Sequence, residues 1–187
     1  MEPTLKSAVA GLALITVHLV AAPVGHAESM APVAIGASRD QAPHVRSTNT
    51  RIQEALQYVV ARSASFRDLV AALSLVDRIV YVEEGTCANP DHRSCLHLVG
   101  SSPNIIIHVN PRQPLKILVA QLAHELYHAA EIEREPGVTN AAELQALYER
   151  IGERSCSSQT DACWETRAAT AFEALVKSQL VGRPQRE

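Results

Sequence analysis

The chain has 187 residues, 47% of them apolar and 20% charged, a composition that supports a single globular domain with a buried core. Its formal net charge of -3 is close to neutral, and its Lys and Arg are scattered with few aromatic residues between them, so a nucleic-acid partner is not expected. With aromatic residues at only 4%, the core must be built from Leu, Val, Ile and Ala.

The N-terminus reads as an export signal. Lys6 precedes an uncharged apolar run from Ala8 to Val24, and Gly25-His26-Ala27 offers the small residues that a signal peptidase reads. An uncleaved anchor is the rival, but the run is short for a span and contains His18. Residues 1–27 are therefore expected to be a signal peptide, with no membrane span after its removal and a secreted or periplasmic location. Residues 28–49 lack periodicity and read as a flexible linker or possible propeptide, leaving 50–187 as the functional domain.

From Thr50 the pattern turns helical. Ile52, Leu56, Val59 and Val60 fall at helical spacing, and Phe66, Leu69, Val70 and Leu73 repeat the signal. Three β-rich runs follow, at Ile79–Val82, Leu96–Val99 and Asn104–Val109, which predict a short, mostly antiparallel sheet. After Pro114 the chain is helical over about Leu115–Glu133, Ala141–Ile151 and Trp164–Leu180. The fold class is α+β, with a helical C-terminal half.

Cys87, Cys95, Cys156 and Cys163 all follow the export signal, and an even count in an exported chain reads as two disulfides. Local pairing, Cys87 with Cys95 and Cys156 with Cys163, is preferred because each pair brackets a polar stretch. A four-thiolate zinc site is the competing reading, but the spacings are not of the Cys-x-x-Cys kind.

The chemistry sits at His124-Glu125-Leu126-Tyr127-His128. Histidines four apart on a helix are neighbours on one face, so both rings can reach a single Zn2+. Glu125, about 100° further round, can reach a metal-activated water without ligating the metal. Val119, Leu122, Ala123, Leu126 and Ala130 cluster on the opposite side, which puts the histidines off the main apolar stripe. A core histidine would lie within that stripe.

A catalytic zinc needs a third protein ligand. Glu165 shares a predicted helix face with Ala168, Ala169, Phe172 and Val176, where a carboxylate requires a partner. Its alternative role is a helix-start carboxylate satisfied by the helix dipole. Glu131 is the next candidate, better placed to orient a histidine than to ligate, while Glu173 leans toward the polar face of Thr166, Thr170 and Lys177.

With these residues in hand, the chain resembles the gluzincin group of zinc metallopeptidases, in which the third ligand is a Glu on a helix downstream of the His-Glu-x-x-His motif. Ile79–Glu83 and Leu147–Gly152 also resemble a group of small exported bacterial proteins. The resemblance implies a small zincin-like domain with His124, His128 and Glu165 holding zinc and Glu125 as general base. It further implies a peptide or protein substrate. Tyr148 is a candidate for stabilising an oxyanion, although it also fits the core stripe of Leu144, Leu147 and Ile151. His108 falls on the open face of its strand, and His92 and His97 read as surface residues. Two other functions share the motif: a non-catalytic zinc-binding exported protein, and a zinc amidase acting on cell-wall peptides.

Overall fold

The structure is a computed structural model that describes residues 44–89, 92–99, 104–155 and 164–181, all within one unit running from Asp40 to Glu187. The expected signal peptide at 1–27 and the expected Cys156–Cys163 pair lie outside the described residues. Ordered chain begins before Thr50. Strand β1 (Val45–Arg46) pairs with the sheet, and the Asn49 side chain caps helix α1 (Thr50–Arg62) by accepting from the Arg51 and Ile52 amides at 3.0 and 3.3 Å. The last residues of the expected linker at 28–49 thus form a short strand and a helix cap.

Ser63 ends α1 and starts α2 (Ala64–Leu73): its hydroxyl accepts from the Phe66 amide and donates to Gln179. Strands β2 (Val80–Glu84), β3 (Ser94–Leu98) and β4 (Ile105–Val109) follow, in the spatial order β1-β2-β4-β3. The expectation of a mostly antiparallel sheet is corrected. β1–β2 and β2–β4 are parallel, and only β3–β4 is antiparallel. The chain leaves β2, builds β3 at the outer edge, and returns as β4 between them. Ile105-Ile106-Ile107 makes β4 the most apolar strand, as suits the interior position.

Val80, Val82, Ile105, Ile107 and Val109 turn one face of the sheet into the core. Helix α3 (Leu115–Glu133) is the central element, packing against α1, α2, β3, β4 and the last helix, α5 (Arg167–Val181). Thirteen of its 19 residues are buried, so its backbone is a rigid platform. Beyond its C-terminus, Arg78 donates to the Val138 carbonyl at 2.7 Å and lies 3.3 Å from Glu133, clasping the helix end to the start of β2.

Helix α4 (Ala141–Ile151) is capped by Asn140 and ended by Gly152. A two-stranded ladder of β5 (Glu153–Arg154) and β6 (Trp164–Glu165) comes next, antiparallel. Gly152 permits its approach, since a Cβ there would stand 2.8 Å from the Tyr148 carbonyl oxygen and 3.2 Å from that of Glu165. The last helix does not begin at Trp164. Thr166 caps it, its hydroxyl accepting from the Ala169 amide at 3.1 Å, so Glu165 precedes the helix rather than riding on it. Cys87 and Cys95 form a disulfide that ties the start of β3 to the connection from β2. Among the described residues no helix is long and apolar enough to cross a membrane.

Candidate metal centre

Helix α3 presents His124 and His128 one turn apart with their Nε2 atoms 3.2 Å from each other. The β5–β6 ladder brings Glu165 to the same point. Its Oε2 is 2.9 Å from His124 Nε2 and its Oε1 is 3.3 Å from His128 Nε2. The histidine face is polar and mostly covered, with α5 packed on α3: His128 is only 6% exposed, and His124 is partly buried.

The far nitrogen of each ring meets another carboxylate. His128 Nδ1 is 2.7 Å from Glu131 Oε2, and His124 Nδ1 is 3.3 Å from Glu173 Oε2. A carboxylate can only accept, so each Nδ1 carries a hydrogen, and in the neutral ring each Nε2 is then a bare lone pair. With both rings neutral, two imidazole lone pairs and a carboxylate converge with no hydrogen between them. Donors about 2.0–2.1 Å from one tetrahedral centre stand roughly 3.3 Å apart. The observed separations of 2.9, 3.2 and 3.3 Å come close to that triangle. His124, His128 and Glu165 form a group that could hold a metal ion, and each donor is of a type that divalent ions accept.

The electrostatics reflect the same crowding. Burial opposes charging His128, but hydrogen bonds to Glu131 and Glu165 and the nearby negative charge outweigh it and push its pKa up to about 9. His124 is raised as well, burial being overcome by Glu165 and by the charge of Glu125. Burial acts to raise Glu165, yet its two histidine partners hold it down at about 2. The centre attracts positive charge.

Glu125 lies beside this group, 5% exposed, with its Oε1 accepting from the Ser94 hydroxyl at 2.7 Å. All of these side chains border a cleft of about 620 Å³, together with Leu96, Leu144, Tyr148 and Trp164. Tyr148 packs its ring edge-on to His128 at 5.2 Å and donates to the His128 carbonyl oxygen at 3.4 Å. Burial pushes its hydroxyl far above the usual tyrosine range, so it stays a donor at any working pH.

Several residues sit where their sequence did not show them. Glu173 faces His124 at 3.3 Å, although Thr170 and Lys177 on the same polar stripe are exposed. His92 borders the cleft, and His97 packs against His108 with ring centroids 4.7 Å apart. Ser94 and Thr166 carry no periodic signal, and only their partners identify them. No protein-family model, curated protein or solved structure matches the chain, so its function has to be read from the chemistry of the site.

Proposed function

We propose that the chain is an exported zinc-dependent hydrolase of zincin-like fold that cleaves peptide bonds. The observation that carries this is the pairing of a three-donor metal group with a buried, anchored carboxylate in one cleft. Two imidazoles and a carboxylate form a donor set that catalytic zinc uses, with a fourth position left for water or substrate. Zinc bound there supplies Lewis acidity, which acidifies water and polarises a carbonyl. Its residues would be His124, His128 and Glu165.

The protein's own groups perform the proton work. Glu125 accepts the proton of the attacking water and returns it to the leaving amine, and Ser94 fixes the carboxylate for both transfers. The Tyr148 hydroxyl lies in the cleft wall and would donate to the oxyanion that develops on the carbonyl by turning its one hydrogen away from the His128 carbonyl oxygen. β3 is the edge of the sheet that borders the cleft, so an extended peptide can add to it as a further strand. That role falls to β3, not to the His108 strand, which is sandwiched between β2 and β3. The disulfide suits an oxidising compartment.

Zinc-loaded protein incubated with a broad peptide library is expected to release new N-termini, and to stop when the metal is chelated. No cleavage would reject the peptidase reading while leaving the metal group standing. Cleavage confined to cell-wall fragments in the same screen would identify an amidase.

Two further results are expected. Ser94→Ala removes one hydrogen bond to a charged group and should lower kcat about 10-fold or somewhat more, with zinc content unchanged. Zinc must displace the proton that His128 holds below about pH 9, so affinity should climb from pH 6.5 and level off near 9. Chelator competition across that range measures it, and a flat profile would contradict the assignment of His128.

A further inference from the structure

We propose that Glu131 and Thr166 are positioning residues that brace the two halves of the metal centre, α3 with its histidines and the β6–α5 turn with Glu165. The proposal rests on the metal-site reading and adds to it how the site is held in shape. Glu131 is 7% exposed on a helix whose neighbours Ala130 and Ile132 are core, so its charge needs full compensation. It finds two partners. Oε2 takes His128 Nδ1 at 2.7 Å, and Oε1 accepts the Thr166 hydroxyl at 2.7 Å. The Thr166 amide in turn donates to Glu165 Oε1 at 2.8 Å, and that oxygen lies 3.3 Å from His128 Nε2.

These contacts close a ring: His128, Glu131, Thr166, Glu165 and back to His128. It spans 35 residues of sequence between Glu131 and Thr166 and joins elements that share no backbone ladder. Glu131 does not border the substrate cleft; with Thr166 and Arg167 it borders a separate depression. It therefore acts through His128, not on a substrate. Its carboxylate also fixes the ring hydrogen on Nδ1 and leaves Nε2 free for the metal. A glutamine at 131 could still accept from Thr166, but its amide nitrogen would then donate to Nδ1 and drive the ring hydrogen onto Nε2.

The test is zinc affinity, by chelator competition, for the wild type, Glu131→Gln, Thr166→Val, Thr166→Ser and the Glu131→Gln/Thr166→Val pair. Melting of each zinc-free protein and nitrogen NMR of the histidine rings are recorded alongside. Glu131→Gln is expected to weaken zinc binding roughly 10- to 100-fold and, in the zinc-free protein, to place the hydrogen of the neutral His128 ring on Nε2, where the wild type keeps it on Nδ1. Thr166→Val should weaken it less, Thr166→Ser should restore it, and the pair should bind more weakly than Glu131→Gln alone, since a glutamine there keeps its bond to Thr166. Wild-type affinity in Glu131→Gln, even with a lowered melting point, would overturn the brace, as would a pair that binds as well as Glu131→Gln alone. If the wild type itself binds no zinc, the metal reading fails and the brace falls with it.

Discussion

Replacing Glu125 by Gln is expected to leave zinc binding intact and to reduce hydrolysis roughly 100- to 10,000-fold, the usual worth of a general base. Gln has the same shape and can still accept from Ser94 Oγ through its carbonyl, so the cleft wall should keep its form. What it cannot do is take a proton. Steady-state kinetics beside metal analysis separates the two effects, and equal loss of zinc and activity would place Glu125 in the metal group instead. Retained activity would remove it from the chemistry altogether. The experiment also distinguishes an enzyme from a zinc protein of structural purpose, which has no chemical need of that carboxylate.

His128→Ala should be the most damaging single change. It deletes one of three metal donors, so zinc affinity should fall by more than the roughly 100-fold expected for an outer partner. It also strips Glu131 of its imidazole in a buried place. Removing one member of a buried charged pair leaves the other uncompensated, and about 3 kcal/mol of stability should be lost as well. A denaturation midpoint measured without zinc isolates that second loss. Unchanged stability there would mean that Glu131 reaches water or another partner once His128 is gone.

The helices were largely legible from spacing alone. Leu115–Glu133 follows from its apolar periodicity between Pro114 and Pro136, and the structure gives α3 those bounds. The positions of β2, β3 and β4 are legible too, unlike the two-residue β1, β5 and β6, but not their neighbours: alternation marks which face is buried and says nothing of which strand lies beside which. That is why β4, inserted between β2 and β3 and parallel to β2, makes a mixed sheet where a mostly antiparallel one is expected. Glu165 illustrates a right neighbourhood reached by a wrong route. It was picked as the head of an apolar helix face, yet it stands in β6 because Thr166, whose capping role is a tertiary fact, starts the helix two residues later. Glu173 was hidden by the opposite assumption, that a polar stripe faces water. Here Thr170 and Lys177 do face water, but Glu173 at the edge of the stripe reaches His124, and a polar group half-buried against another leaves the same sequence pattern as an exposed one.

The convergence of three donor atoms is the central claim, and metal stoichiometry tests it most directly. Wild-type protein and Glu165→Ala, both saturated with zinc and then freed of excess by gel filtration, should be compared by elemental analysis. The expected result is one zinc ion per chain in the wild type and little or none in Glu165→Ala. A wild type without zinc, or equal zinc in both proteins, would contradict it.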